Sequence, residues 1–313
     1  MEKIYTRLNA AAGTSRRRLV LLKGAVLSPL YWFLARIRGG CGLGFHLRVA
    51  AMGFGLWARR GAGLREVYEL AFFPMDSARY FEFDILWRWV VEKRPEGRYL
   101  DVSSPRIFPA LVLRDHKDLV GDLVNPDGQD LSLTMRLMEQ LGLPSRCCLH
   151  QKKTEEISFP DNTFDLITCI SVVEHIPDGG DRGAVSTLWR LLAPGGRLLI
   201  TVPCASRGFE EYIDYNEYGL LQRDENGFVF GQTFYDDEGL RERILAITGL
   251  PVRSVVFGEV EKGRFFRNRE RKLMDPVYPF WKEPYMMATE YTRFHSVKDL
   301  PGVGIIAMEF RKA

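Results

Sequence analysis

Short, mostly apolar runs alternate with stretches of helical periodicity from about residue 80 to the end of the chain. Such runs are typical of strands that are buried on both faces of a sheet. Seven segments show this pattern, at residues 98–102, 119–123, 147–150, 164–171, 197–202, 252–257 and 303–310. Between them, apolar residues recur every three or four positions at residues 81–91, 131–141, 184–192 and 238–248. The alternation predicts an α/β domain with a doubly wound, mostly parallel sheet that is covered by helices.

The first part of the chain follows a different pattern. Residues 19–34 carry a single charge, Lys23, and residues 49–58 form a second apolar run. Arginines flank both runs, at positions 16–18, 36, 38, 48 and 59–60. The first run is interrupted by Pro29, and its 16 residues are fewer than the roughly 20 that a membrane-spanning helix needs. We therefore predict a basic, partly apolar helical extension over residues 1–70 and a main domain over residues 71–313.

Charge is divided unevenly between these two parts. The formal net charge is only +3, but residues 1–65 hold 12 Lys/Arg and one acid (+11), and the rest hold 31 basic and 39 acidic residues (−8). A basic segment with aromatic and aliphatic residues suits the surface of an anionic membrane, and the near absence of acids favours that interpretation. The alternative is a helical extension that packs on the main domain with solvated arginines. No nucleic-acid-binding motif accompanies the segment, so a nucleic-acid partner is not expected.

Composition limits the classes of function. The 46% hydrophobic and 27% charged residues are typical of a globular protein and exclude a disordered or collagen-like chain. The five cysteines lack CxxC spacing, so we expect no metal site and a reducing, cytoplasmic setting. A nicotinamide-dependent oxidoreductase on the same type of sheet is the weakest alternative, because the first strand is not followed by the glycine fingerprint of those enzymes.

One stretch carries a specific combination of motifs. Residues 159–203 contain F-P-D-x-x-F-D before a strand, the pair Glu174–His175 after it, and a P-G-G turn before the next strand. In this order and spacing the chain resembles the class I S-adenosylmethionine-dependent methyltransferases. The resemblance implies a Rossmann-like sheet of seven strands, S-adenosylmethionine as the cofactor, and methyl transfer to a small molecule or glycan, with oxygen as the expected accepting atom.

The same resemblance implies which residues hold the cofactor. Asp101 stands where the family has the first acid of D-x-G-x-G, and Ser103 and Pro105 replace its two glycines. Asp122, placed at the end of the second strand, aligns with the acid that binds the ribose hydroxyls, and Lys153 replaces an acid that contacts the adenine. The expected cofactor residues are Arg79, Tyr80, Asp101, Ser103, Asp122, Leu123, Thr154, Glu155, Ser171, Val172 and Glu174.

His175 is the candidate catalytic base. An acceptor hydroxyl has to lose its proton during methylation, and histidine is the side chain that most often takes it. The alternative role for His175 is a structural one, in which it caps the following helix or binds backbone.

Two inserts, at about residues 204–235 and 259–300, are expected to form a cap over the acceptor. Both combine aromatic residues with polar or basic ones, which suits a sugar or a phosphorylated acceptor and equally suits a lid that packs on the core. Because the family's glycines are missing after the first strand, the alternative to an enzyme is a methyltransferase-like scaffold that no longer binds the cofactor.

Overall fold

The computed structural model describes residues 1–8, 18–59, 61–75, 77–215, 222–275 and 277–313. Of the residues singled out in the sequence, Arg16, Arg17, Arg60 and Tyr218 lie outside the described residues. The strands are β1 (Glu2–Thr6), β2 (Gly97–Val102), β3 (Leu119–Val124), β4 (Cys147–His150), β5 (Phe164–Ile170), β6 (Leu192–Ala205), β7 (Phe209–Ile213), β8 (Val229–Phe234), β9 (Arg253–Glu259), β10 (Tyr291–Phe294) and β11 (Val303–Arg311). The helices are α1 (Arg18–Ile37), α2 (Leu43–Ala58), α3 (Leu64–Phe72), α4 (Arg79–Glu92), α5 (Ile107–Asp115), α6 (Gly128–Gln140), α7 (Gly180–Leu191), α8 (Asp237–Leu240), α9 (Ala246–Thr248), α10 (Arg264–Met274) and α11 (Glu283–Glu290).

Within the described residues, one sheet of eight strands has the order β10-β9-β11-β6-β5-β2-β3-β4. The strands from β6 to β4 are parallel to their neighbours, and β11, β9 and β10 are antiparallel. The sheet contains all seven predicted strands, so the doubly wound α/β fold is confirmed. The eighth strand, β10, is a four-residue edge strand at the end of the second insert, and its mostly exposed side chains gave no strand signal in the sequence.

Helices cover both faces of this sheet, because successive side chains of each strand point to opposite sides. On one face, Leu166 of β5 and Leu199 of β6 pack in a core cluster that includes side chains of α2, α4 and α5. On the other face, Ile167 and Leu198 pack against α7. Helix α4 is buried on nearly every side, since it lies between the sheet and α2.

The N-terminal extension contains α1, α2 and α3, but its first residues form a strand that was not predicted. Strand β1 pairs in parallel with β7, from Glu2 opposite Phe209 to Thr6 opposite Ile213. Of the described residues, β1, β7 and β8 make a separate three-stranded sheet in the order β1-β7-β8. The first residues of the chain are therefore part of the cap that the first insert forms.

Helix α1 is longer than the apolar run in the sequence suggested. It continues through Pro29 as far as Ile37, and its 18-residue window Val20–Ile37 is long and apolar enough to cross a membrane by length and composition. The predicted length of 16 residues was too short because the helix includes Ala35, Arg36 and Ile37.

The turn between α1 and α2 depends on one glycine. Gly42 has a φ of +80°, and a Cβ atom there would lie 2.3 Å from the carbonyl oxygen of Tyr80. We expect Gly42→Ala to lower the free energy of unfolding by about 2–3 kcal/mol, because a left-handed conformation and a backbone overlap would be forced on alanine. Gly44 in the first turn of α2 is the matched control, since a Cβ there meets no atom within 4 Å.

Urea unfolding of both variants measures this difference. Gly44→Ala is expected to leave stability unchanged or to raise it by up to about 1 kcal/mol, because alanine is the better helix former. Equal effects of the two substitutions would show that the turn is not constrained at Gly42.

Candidate active site

The loops that follow the central strands β2 and β5 begin with strained serines. Ser103 has a φ of +51° and Ser171 a φ of +49°, a region that non-glycine residues seldom occupy. Ser103 donates both its backbone N–H and its hydroxyl to the carbonyl of Val124, and the backbone N–H of Ser171 donates to Thr201. Serine thus adopts the conformation that the first glycine of D-x-G-x-G was expected to supply. Such strain is typical of binding and catalytic loops.

The buried carboxylate of Asp101 holds the loop after β2 in place. Its carboxylate is buried and accepts hydrogen bonds from Thr168 Oγ1 (2.5 Å), Tyr99 Oη (3.2 Å) and the backbone N–H of Ser104 (3.2 Å). Burial raises the pKa of Asp101 to about 6, although these hydrogen bonds favour the charged form. Asp101 therefore holds the loop that carries Ser103, and with Ser103 it lines a narrow groove.

Asp122 is not at the end of its strand, as the sequence had suggested. Strand β3 continues to Val124, because Leu123 and Val124 extend the buried apolar run. The Asp122 carboxylate accepts from Arg98 Nη2 at 2.6 Å and lies 2.8 Å from His150 Nε2. Leu123 points to the opposite face and lines the groove beside Ser103. The apolar pattern had ended this strand one residue early, at residue 123, and the resemblance had placed Asp122 at its end. The structure places the Asp122 carboxylate within the strand and in an ion pair with Arg98.

The two residues expected near the adenine lie in a short turn after β4. Thr154 begins the 3-10 turn Thr154–Glu156 and is buried, whereas Glu155 in the same turn is exposed. The turn is closed by the backbone N–H of Lys153, which donates to the Glu156 carboxylate at 3.0 Å. These positions are consistent with an adenine-binding turn at the carboxyl end of β4, and the contact itself stays a prediction.

A buried carboxylate on α4 ties the N-terminal helices to the ends of two strands. Glu82 is fully buried and accepts from the Ser171 hydroxyl, from Thr201 Oγ1 at 2.6 Å and from Arg79 Nη1 at 2.7 Å. Arg79 and Glu82 both line a large cavity beside the carboxyl ends of β5 and β6. The prediction that the start of α4 reaches this edge of the sheet thus agrees with the position of Arg79.

Tyr80, the neighbour of Arg79, points elsewhere. Consecutive residues of a helix are rotated by about 100°, and the Tyr80 hydroxyl lies 2.8 Å from Nδ1 of the buried His46. His46 Nε2 lies 2.9 Å from the carbonyl oxygen of Ala71, so Nε2 carries the proton and Tyr80 donates to Nδ1. Tyr80 is therefore placed between α4 and α2, and the expectation that it faces the cofactor was wrong.

Glu174 has an unusual environment. It is fully buried in the turn after β5 and lines the large cavity, and among the described residues its Oε2 has no hydrogen-bond partner. Burial raises the pKa of Glu174 to about 8, and the nearby Glu82 carboxylate adds to the increase. The neighbouring Val172 packs instead against the core cluster below the turn. A carboxyl group held in this way is suited to meet a positively charged ligand.

His175 projects from the same turn towards the first insert. Its Nδ1 lies 2.6 Å from the carbonyl oxygen of Gly231 in β8. A carbonyl only accepts, so Nδ1 carries the proton, and in the neutral ring Nε2 is the acceptor. Desolvation lowers the pKa of His175 below its ordinary value of 6.5, which favours the neutral ring at physiological pH. The structure thus gives His175 the protonation state and tautomer of a general base, while its predicted catalytic role remains to be tested.

The large cavity has a volume of about 360 Å³ and joins the sheet edge to both inserts. Its polar end holds Arg79, Glu82, Ser171, Glu174 and His175. The rest of its wall includes the polar or charged residues Ser77, Glu211, Gln232, Arg269 and Lys272. The larger part of the wall is apolar, with Leu8, Ile213, Val229, Phe230, Phe234, Phe257, Phe265, Leu273, Met287, Val303 and Ile305. This arrangement can hold an apolar body with one polar group next to His175.

An ion pair that the sequence did not reveal holds the two inserts together. Arg269 of α10 makes a bidentate pair with the buried Glu211 of β7, and Gln232 donates to the same carboxylate at 2.9 Å. Arg269 also lies over the rings of Phe265 and Phe266. Arg269 is one of several arginines in a basic helix, and the sequence does not show which of them pairs with a buried acid. Nor does it show that Glu211 is buried, because Glu210 next to it is also an acid.

Comparison with known proteins finds similarity to methyltransferases over part of the chain. A family model described as a methyltransferase domain matches residues 109–252. The ubiquinone/menaquinone biosynthesis C-methyltransferase of Pseudoalteromonas translucida is 33% identical over 93 residues, which are 30% of this chain and 35% of that protein. Phosphoethanolamine N-methyltransferase 1 of Arabidopsis thaliana is 26% identical over 163 residues, which are 50% of this chain and 33% of that protein. The matches thus span about a third of each relative.

Residues 109–252 therefore match a methyltransferase domain, and both relatives are methyltransferases by name. S-adenosylmethionine is the cofactor of this family, and methyl transfer is its chemistry. Among solved structures, geranyl diphosphate C-methyltransferase from Streptomyces coelicolor A3(2) is similar with a TM-score of 0.46 and 10% sequence identity, over 75% of this chain and 78% of that one.

The residues at the carboxyl edge of this sheet fit S-adenosylmethionine, which carries a positive sulfonium and a positive ammonium group. Glu174 offers a buried carboxyl oxygen that has no partner among the described residues, and Arg79 places a guanidinium in the same cavity. Ser103 supplies the left-handed turn, and its groove continues along Asn125 and Asp130. Asp130 is itself held by Arg106 and by the amide of Asn125. These polar groups follow β2 and β3, where the family binds the nucleoside.

Proposed function

We propose that this chain is an S-adenosylmethionine-dependent methyltransferase that methylates an oxygen atom of a small, largely apolar acceptor. The observation that carries the proposal is His175, which donates through Nδ1 to the Gly231 carbonyl and, as a neutral ring, carries its acceptor nitrogen at Nε2, in the wall of a mainly apolar cavity. The relatives act, by their names, at carbon, at nitrogen and at oxygen, so they do not select the accepting atom and the choice of oxygen rests on this histidine.

In the proposed site, the residues around the polar end divide between binding and proton transfer. When bound, S-adenosylmethionine supplies a methyl group on a positively charged sulfur. Arg79 binds the carboxylate of the cofactor, and Glu174 faces its positive charge. His175 Nε2 would accept the proton of the acceptor hydroxyl as the oxygen–methyl bond forms and the methyl–sulfur bond breaks, with the cofactor leaving as a neutral thioether. The walls of the cavity exclude water and hold the acceptor in line, which is the main contribution of a protein to this reaction.

The apolar wall supports an acceptor with an apolar body. Side chains such as Phe230, Phe257 and Met287 line most of the cavity beyond its polar end. Burial of apolar surface contributes about 25 cal/mol per Å² to binding, whereas a sugar hydroxyl that faces these side chains lacks a partner. Polar side chains such as Gln232 and Arg269 line only the smaller part of the wall. A glycan, the other acceptor class that the sequence left open, is therefore the less favourable occupant.

Calorimetric titration with S-adenosylmethionine tests the first part of the proposal. We expect binding at micromolar concentration, and we expect Arg79→Met to weaken it about 10–100-fold, because a charge-assisted hydrogen bond is lost. Arg65→Met is the matched control, since Arg65 is an exposed arginine on α3 whose side chain pairs with Glu69. Absence of heat at millimolar ligand would instead support the scaffold alternative.

A small panel of acceptors tests the second part. Methyl-tritiated S-adenosylmethionine is incubated with a para-alkylphenol, a fatty alcohol and a methyl glycoside, and the labelled products are separated. Label on the oxygen of the phenol or the alcohol supports the proposal. Label on the glycoside alone, or on carbon, would contradict the proposed acceptor while leaving the methyltransferase assignment intact.

A further inference from the structure

The outward face of α1 is an uninterrupted apolar surface. Leu22, Val26, Leu30, Phe33 and Ile37 are each between 52% and 68% exposed. They recur every three or four residues, so they lie on one side of the helix. The distance from the first to the last is about 22 Å, at a rise of about 1.5 Å per residue. We call these five residues the α1 stripe.

The opposite face of α1 is fixed to the domain. A Cβ atom at Gly24 would lie 2.4 Å from the hydroxyl of Tyr68 and 2.5 Å from the ring of Phe280, so the helix approaches these side chains closely. The Tyr68 hydroxyl donates to the carbonyl of Leu21 at 2.7 Å, and Val20 belongs to an aromatic core cluster around Phe280. A membrane-spanning position would remove all of these contacts. The packing therefore favours a helix that stays on the domain and presents only its stripe.

The charge around the stripe has one sign. Lys23, Arg36 and Arg38 are exposed on or just after α1, and the sequence has no Asp or Glu between Glu2 and Glu66. Apolar insertion and attraction by basic side chains are the two contributions that together give stable binding to anionic lipid. A protein partner with an apolar groove would supply the first contribution but would not account for a basic segment of this length.

We propose that the α1 stripe docks this protein on the surface of a bilayer that contains anionic lipid, with α1 lying in the plane of the interface. The next helix, α2, adds Leu47, Phe54 and Trp57, which are between 45% and 52% exposed. Aromatic side chains of this kind are favoured at the headgroup level. The proposal does not depend on the methyltransferase activity.

The position of α1 relates the docking surface to the cavity. Helix α1 packs against α11, where the rings of Tyr31 and Tyr285 are 5.9 Å apart. Met287, on the same helix α11, lines the acceptor cavity. A single helix therefore separates the docked surface from the apolar wall, which places the cavity close to the membrane when the protein is bound.

Sedimentation of the full chain with vesicles tests the proposal. The vesicles contain phosphatidylcholine with about 30% phosphatidylglycerol, and pure phosphatidylcholine vesicles serve for comparison. We expect the protein to sediment with the anionic vesicles and to be released by salt. The double substitution Val26→Ser with Phe33→Ser is expected to lower the partition coefficient about tenfold or more, because two inserted apolar side chains are lost.

The matched control replaces two equally exposed apolar residues away from α1. Leu250 and Val252 are 84% and 61% exposed in the segment before β9, and Leu250→Ser with Val252→Ser is expected to sediment like the unmodified chain. Circular dichroism and S-adenosylmethionine titration of each variant show whether the fold is retained.

Four results would overturn the proposal. In the first, the unmodified chain does not sediment with anionic vesicles, and in the second, the stripe variant sediments as much as the unmodified chain. In the third, the bound protein is not extracted by alkaline carbonate. In the fourth, the unmodified chain forms a dimer without lipid and the stripe variant does not. Resistance to carbonate would mean that α1 spans the bilayer, and a stripe-dependent dimer in ultracentrifugation would mean that a second copy of the chain covers the stripe. Sedimentation that depends on both the stripe and the anionic lipid supports the proposal.

Discussion

Replacing His175 by asparagine is expected to lower kcat for methyl transfer by about 10²–10⁴-fold, the usual contribution of a positioned general base. Asparagine keeps a side-chain N–H that can donate to the Gly231 carbonyl, the bond that His175 makes through Nδ1. It has no basic nitrogen, so the proton of the acceptor would have to leave to water. The measurement is the rate at which tritiated methyl appears on the best acceptor of the panel, at saturating S-adenosylmethionine.

The pH dependence of kcat distinguishes a catalytic base from a structural residue at position 175. For the unmodified chain, kcat is expected to rise as pH increases through a pKa below 6.5, because only neutral His175 can accept a proton. For His175→Asn that rise is expected to disappear, while the Kd for S-adenosylmethionine changes less than about threefold. His295→Asn is the control, since His295 is an exposed histidine in the segment after β10. A His175→Asn variant with nearly unchanged kcat would show that His175 only positions the first insert.

Replacing Glu174 by glutamine is expected to stabilise the ligand-free protein at high pH. The pKa of Glu174 is about 8 in the folded protein and 4.5 in its ordinary environment. Between these values the folded protein retains a proton that the unfolded chain has lost, so the free energy of unfolding falls as pH rises. The loss is complete above about pH 8 and absent below about pH 4.5. Glutamine stays neutral, and we expect Glu174→Gln to be about 2–4 kcal/mol more stable than the unmodified chain near pH 9.

Urea unfolding near pH 5 and pH 9 measures the free energy of unfolding of Glu174→Gln and of the unmodified chain. The difference between the two proteins removes the contributions of the other titrating groups, which both proteins share. Glu155→Gln, an exposed change in the turn after β4, is expected to follow the unmodified chain at both pH values. Parallel pH dependence of Glu174→Gln and the unmodified chain would show that Glu174 is solvated. A second measurement is the affinity for S-adenosylmethionine as a function of pH. In the unmodified chain this affinity is expected to rise with pH, because an ionised Glu174 attracts positive charge. In Glu174→Gln the affinity is expected not to depend on pH in this way.

The central sheet could be predicted from the sequence because its strands are buried on both faces. Phe164–Ile170 and Leu198–Val202 consist almost wholly of apolar residues, and such runs require no knowledge of their partners. Strand β3 shows the limit of this approach. Its end was assigned to Asp122 by the resemblance, while the apolar Leu123 and Val124 continue the strand.

The cap could not be predicted in the same way, because its contacts join segments that are distant in sequence. Glu2–Thr6 is mostly exposed, and its pairing partner β7 begins about 200 residues later. The hydrogen bond between His175 and Gly231 and the ion pair between Arg269 and Glu211 depend on the same long-range placement. Tyr80 depends on a contact of the same kind, because its hydroxyl points towards the buried His46 of α2 and not towards the cavity.

The parallel pairing of β1 with β7 has a consequence for biosynthesis. Residues 2–6 leave the ribosome long before residues 209–213, which are their hydrogen-bonding partners. At about 5–20 residues per second, roughly 10–40 s of translation separate the two segments. During this interval the edge of the nascent strand is unpaired, and the chamber above the sheet lacks a wall. Leu8, two residues after β1, lines the cavity, so we expect this part of the wall to form late in synthesis.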